Sequence, residues 1–77
     1  MPHVIVKLVV GRTEQQKTRM AEDITRAIMA GADVGEDAVS VAFEDVAKED
    51  WLEAVYKPDI IGKSETVYKK PGYDPLA

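Results

Sequence analysis

The residue in this chain with the most distinctive chemistry is the proline at position 2. An initiator methionine is usually removed when the next residue is small. Loss of Met1 would leave Pro2 with a free secondary amine, which no other amino acid supplies. An ordinary α-amino group titrates near pH ~7.7–8.0. Prolyl nitrogen is intrinsically more basic, but burial disfavours the charged form and draws the pKa back down. An amine tuned in that way suits general base catalysis near neutral pH. The plainer reading is a Met-Pro start that arose by chance, since proline makes up about 5% of residues in proteins. With Met1 still attached, the nitrogen is an amide and has no basicity to offer.

Other side chains with usable chemistry are sparse. Arg12 follows an apolar run and precedes a helix start, where a guanidinium and the helix N-terminus could together bind a carboxylate; alternatively it is a solvated turn residue. His3, beside Pro2, could orient or perturb the amine, or be a strand residue with its polar edge in water. Trp51, the single tryptophan, is a ligand wall or a packing residue. Tyr56, Tyr68 and Tyr73 could donate to an enolate, but interface packing is the better expectation. Lys69-Lys70 reads as a solvated pair.

The elements that must position these residues are legible. In residues 3–10 β-branched residues dominate and both faces are largely apolar, which predicts a strand covered well on both sides. Gly11 ends it. Thr13 to Gln16 reads as a capping box, with Thr13 as N-cap. A helix should run to about Ala30, burying Met20, Ile24, Ala27 and Ile28, with Gly31 just past its end. Residues 32–38 form an acidic loop. Val39–Glu44 is a second strand. Strand, helix, strand gives an α/β fold, a β-α-β unit with two parallel strands. Glu49–Tyr56 has a short helical pattern that Pro58 should limit. Ser64–Lys70 offers a further turn or two, and Pro71-Gly72 is a turn before the final segment. Residues 1–77 are expected to form one domain.

Composition narrows the function. A chain of 77 residues buries a modest core and is marginal alone. There is no cysteine and one histidine, which excludes disulfides and thiolate metal sites and argues against zinc. Oligomerisation is the remaining way to stabilise the fold. The net charge of −4 disfavours nucleic acid as a partner. No apolar stretch approaches the ~20 residues of a membrane span, and no signal-peptide pattern opens the chain, so a cytoplasmic location is expected. The acidic residues crowd positions 33–53, a solvated rim, while the basic excess in the first 32 residues makes that segment the expected place for an anionic ligand.

The order of these features resembles the 4-oxalocrotonate tautomerase family: Met-Pro, an apolar strand, Gly11-Arg12-Thr13-Glu14-Gln15-Gln16-Lys17, a β-α-β unit, then an aromatic near position 51. The Lys69-Lys70-Pro71-Gly72-Tyr73 ending is similar to a bacterial branch that acts on phenylenolpyruvate and forms dimers rather than hexamers. The resemblance implies Pro2 as general base, Arg12 as carboxylate anchor and Trp51 as pocket wall, where phenylalanine is usual. Hexameric relatives carry a second arginine in the second strand; Ser40 stands there as the matching substrate-binding residue, and a serine can hydrogen-bond but cannot pair with a second charge. A monocarboxylate enol with an apolar or aromatic end therefore fits better than a dicarboxylate. The implied activity is cofactor-independent enol–keto isomerisation of a small α-keto acid by a homo-oligomer, a dimer in preference to a hexamer. The alternatives are a Pro-dependent hydratase, dehalogenase or decarboxylase of the same superfamily, and a non-catalytic ligand-binding or assembly module.

Overall fold

The computed structural model describes residues 1–76. The chain forms two compact units, Met1–Asp45 and a second beginning at Val46. The first is the expected β-α-β unit: strand β1 (His3–Val9), helix α1 (Glu14–Ala32) and strand β2 (Ser40–Val46), with the two strands paired in one parallel sheet. Short 3₁₀ turns occupy Glu36–Ala38, Lys48–Asp50 and Ser64–Thr66. Among the described residues no helix is long and apolar enough to cross a membrane.

The turn from β1 into α1 follows from local chemistry. Gly11 has φ 131°, a conformation that a side chain resists and glycine accepts. Thr13 then caps α1 as a full capping box. Its hydroxyl accepts from the Gln16 amide at 3.0 Å, and the Gln16 side chain accepts from the Thr13 amide at 2.8 Å. Arg12 is thereby confined to a two-way stop: the strand ends before it and the helix starts after it.

Helix α1 runs two residues past Ala30. The left-handed position that ends it is Asp33, at φ 55°, and not a glycine. Aspartate tolerates this region because its short polar side chain can bond locally, and its amide donates to the Met29 carbonyl, so Gly31 is left inside the helix. The inward stripe is Lys17, Met20, Ala21, Ile24, Thr25, Ile28 and Met29, a repeat of three and four residues. Ala27 is exposed, the one member of the expected stripe that faces away.

The stripe covers a single face of the sheet. Val41 lines a groove with Ala21, Thr25 and Met29 of α1, and Asp45 pairs with Lys17 at 2.7 Å. Side chains alternate along a strand, so Ser40, Ala42 and Glu44 point to the opposite face. Ile5 is 50% exposed, and no residue of Met1–Asp45 is fully buried. Completing the burial of Ile5 alone would contribute about 1 kcal/mol. Within this unit the expectation of a sheet covered on both sides is met on one side only.

In the second unit Pro58 does not stop the helix. A proline inside an α-helix loses one hydrogen bond and clashes with the carbonyl four residues back. Here Leu52–Ile61 is a π-helix that contains Pro58, a wider helix whose hydrogen bonds span five residues. It carries the two buried hydrophobic residues among those described, Val55 and Tyr56. The helix closes on Gly62, whose amide donates to the Lys57 carbonyl at 2.8 Å. A Cβ at Gly62 would lie 2.7 Å from the Pro58 carbonyl oxygen and 3.0 Å from that of Lys57. Gly62→Ala should therefore lower stability by about 1–3 kcal/mol, read by chemical denaturation. Gly72→Ala, with open space around it, should be close to neutral in the same measurement.

Candidate active site

The head of the sheet gathers three of the residues singled out by their chemistry. Pro2 immediately precedes β1, and its carbonyl accepts from the Ser40 amide at 3.2 Å. Ser40 is the first residue of β2, so this ladder bond holds the start of one strand against the start of the other. His3 Nδ1 lies 2.6 Å from Ser40 Oγ. Pro2 is half-buried. Met1 projects fully into solvent, and with Met1 in place the Pro2 nitrogen is a peptide nitrogen.

Arg12 lies at the other end of β1. Its guanidinium donates to the Val9 carbonyl at 3.0 Å, an uncharged acceptor that leaves the positive charge uncompensated by that bond. The seven residues of β1 span about 20 Å at the rise of an extended strand. Pro2 and Arg12 of one chain therefore cannot touch the same small substrate. Any site that uses both must take them from two chains. Two grooves of the single chain lie away from these residues. One of about 490 Å³ runs along α1 and one of about 380 Å³ lies beside the π-helix, and neither includes Pro2, His3, Arg12 or Ser40.

The positive charge of the N-terminal segment is thinner than its composition implies. Lys17 is tied to Asp45 at 2.7 Å and to Glu14 at 3.6 Å. The hydrogen bond to Asp45 pushes the ammonium pKa above its usual range, against the opposing effect of partial burial, and Glu14 adds to the rise. This lysine fastens α1 to the end of β2 and is not free to bind an anion. Arg19 and Arg26 pair with Asp23 on the helix surface, which leaves Arg12 as the better anion ligand. Among the described residues no group of three or more His, Cys, Asp or Glu is placed to hold a metal ion.

Trp51, in the second unit, has its polar edge committed. The indole Nε1–H donates to the Tyr73 hydroxyl at 3.0 Å, and the Tyr73 ring packs on Tyr56 with centroids 5.8 Å apart. Only the indole faces remain for a ligand. Tyr73 belongs to the Lys-Lys-Pro-Gly-Tyr ending, so these last residues are anchored on Trp51 rather than trailing free. Nothing in the spacing of positions 51, 56 and 73 announces the cluster; the tyrosines were expected at an interface, and two of them meet within the chain. Burial pushes the Tyr56 phenol above its ordinary 10.0, and the nearby Asp74 carboxylate adds to the rise.

Two measurements follow. Tyr73→Phe removes the indole's acceptor and keeps the aromatic pair with Tyr56. The bond is exposed, so its loss should reduce stability by only about 0.5 kcal/mol and should alter the emission of Trp51, the single fluorophore of its kind. The raised phenol pKa means that the folded chain holds the Tyr56 proton more tightly than the unfolded chain. Its contribution to stability is fully present below pH 10.0, the ordinary value, and is lost as pH rises through the raised one. Denaturation midpoints of wild type and Tyr56→Phe, compared across that range, should show the wild type losing more stability with rising pH.

With this geometry established, comparison with known proteins places the chain. The family model described as tautomerase enzyme matches residues 2–56. A probable tautomerase of Xylella fastidiosa is 43% identical over 77 residues, all of this chain and 94% of the relative. Tautomerase PptA of Escherichia coli is 35% identical over 74 residues, 95% of this chain and 97% of the relative. Among solved structures, one from the kinetic and structural characterisation of the 4-oxalocrotonate tautomerase isozymes of Methylibium petroleiphilum superposes with a TM-score of 0.60 at 31% identity, covering 62% of this chain and 75% of that one. The matched segment begins at Pro2 and takes in Arg12, Ser40 and Trp51. The chain belongs to the tautomerase family, of the 4-oxalocrotonate tautomerase type, and is an isomerase.

Proposed function

We propose that the chain ketonises the enol of a small α-keto acid of the phenylenolpyruvate kind, in the cytoplasm, with Pro2 as general base after Met1 is removed. The neutral prolyl nitrogen takes the proton of the enol 2-hydroxyl. The carbon–oxygen bond becomes a carbonyl as the enol double bond shifts, and C3 receives a proton from the prolinium, which restores the base. Atoms and charge balance with no cofactor. Half-burial of Pro2 supports the mechanism by disfavouring its charged form, and the full exposure of Met1 leaves it open to an aminopeptidase.

The observation that carries this reading is the position of Pro2 at the head of β1, bonded to a serine at the head of β2. The residue opposite the base is neutral. A substrate with one carboxylate suits a site whose single anchor is Arg12; a dicarboxylate would leave its second charge unpaired, which is costly in an apolar pocket. Trp51 serves as an aromatic wall, a role taken from the resemblance.

The 20 Å reach of β1 makes assembly part of the mechanism. Arg12 of one subunit serves Pro2 of another, and the helix-free sheet face is the surface that a second copy covers. The proposed assembly is a homodimer, favoured over a hexamer by the resemblance of the Lys69-Lys70-Pro71-Gly72-Tyr73 ending to that of a dimeric branch of the family.

Three chains test the proposal. The processed wild type should ketonise phenylenolpyruvate, followed by loss of ultraviolet absorbance. A chain that keeps Met1 should lose most of its kcat/KM. Arg12→Ala should raise KM strongly. Mixing the Met1-retaining chain with Arg12→Ala and letting subunits exchange should restore activity. For a two-fold dimer the recovery should be about one quarter of wild type, since half the dimers are mixed and each has one intact site. Equal activity with free and blocked Pro2 would remove the base from the mechanism. Mixtures no more active than their components would show that Pro2 and Arg12 do not meet across subunits.

A further inference from the structure

His3 and Ser40 lie 37 residues apart in sequence, yet their side chains meet at 2.6 Å. Ser40 also bonds the Pro2 carbonyl through its backbone, and that carbonyl is three covalent bonds from the prolyl nitrogen. The pair therefore sits at the head of the sheet, flanking the proposed base. It lies on the face opposite α1, because the neighbouring Val41 faces the helix and alternate strand residues point to opposite sides.

Both side chains are exposed, so the bond does not satisfy an otherwise buried polar group, and an exposed neutral hydrogen bond adds little to stability. Its effect is directional. A free serine hydroxyl samples three staggered rotamers; the His3 bond selects one. It also settles what the hydroxyl can offer. Serine has one proton and two lone pairs. If Nδ1–H donates to Ser40 Oγ, a lone pair is used and the serine proton remains free to point at a ligand. If Nδ1 accepts, the proton is used and the serine can only accept.

We propose that His3 and Ser40 act as one hydrogen-bonding unit in the reaction. His3 donates through Nδ1–H to Ser40 Oγ, and Ser40 donates to the substrate oxygen that becomes the carbonyl. This deepens the tautomerase reading and rests on it. As the enol proton leaves for Pro2, negative charge builds on that oxygen, and a donor already aimed at it stabilises the transition state. Two bonds in series polarise one another, so the histidine strengthens the donor it holds. A neutral donor backed by an imidazole thus stands beside the base, and it selects a ligand oxygen that is uncharged in the ground state. Ser40 is the residue that touches substrate; His3 is a positioning residue acting through it. No group beyond the chain's own residues and the substrate is required.

The test is a double-mutant cycle on the processed protein, with phenylenolpyruvate as the probe. Ser40→Ala should lower kcat by about ten-fold, the scale of one hydrogen bond made in the transition state, with little change in KM because Arg12 still holds the carboxylate. Ser40→Thr should keep most of the rate. His3→Ala should cost less than Ser40→Ala, and should cost nothing further in the Ser40→Ala background. His3→Asn, whose amide can donate from near the Nδ1 position, should retain the rate; His3→Asp, which only accepts when ionised, should lose it. Additive effects of His3→Ala and Ser40→Ala would overturn the proposal, since His3 would then act on Pro2 directly. Equal rates for the Asn and Asp variants would overturn the direction of donation. An effect on KM alone would reduce the pair to a binding contact and likewise overturn it. The Met1-retaining chain separates the two levels: if wild type is active and that chain is not, the tautomerase reading stands whatever the cycle shows.

Discussion

An extended strand cannot fold back on itself, and that constraint governs this protein. β1 holds the candidate base before its first residue and the candidate cation after its last. At about 3.3 Å per residue, seven residues put them too far apart to share a substrate. The same strand sits in a sheet of two strands with a helix on one face, so its other face carries half-exposed Ile5. Apolar burial is thus incomplete in one copy, and so would be any site that needs both residues. The proposed second copy would resolve both together, which ties assembly to catalysis in the proposed mechanism.

The ends of β1 are set by different physics. At the C-terminal end, covalent and local rules suffice: Gly11 takes a positive φ, Thr13 and Gln16 close a capping box, and Arg12 has nowhere else to be. At the N-terminal end, a long-range contact decides. Ser40 must return through a 19-residue helix before its amide can reach the Pro2 carbonyl. The Lys17–Asp45 pair ties the first turns of α1 to the far end of β2 and helps set the register that brings Ser40 there. A one-residue slip would send Ser40 to the helix-covered face and take its hydroxyl away from His3.

The second unit handles its difficult residue in another way. Pro58 is accommodated by a π-helix, and Gly62 permits the close approach of two carbonyls at its end. This element buries Val55 and Tyr56. Tyr73 then joins the ending to Trp51 and Tyr56. The result fixes the indole's orientation by its N–H and leaves its faces as the surfaces with which it can meet a ligand.

By itself the sequence determined the β-α-β order, the capping box at Thr13, the family, and the list of residues able to do chemistry. These depend on residue type, short spacing and periodicity, which are properties of local chain. It placed the helix end at about Ala30 with Gly31 beyond, because glycine is the usual left-handed residue; the tertiary structure gave that role to Asp33, whose amide reaches the Met29 carbonyl. In sequence Pro58 marks a stop, because proline clashes within an α-helix; the tertiary structure carries it inside a wider π-helix. Two facts were visible only in three dimensions: that His3 bonds Ser40, and that Trp51 bonds Tyr73. Each joins residues that no local pattern relates. Strand register and backbone path decide which side chains meet, and both are set by packing across the fold rather than by neighbours in the chain.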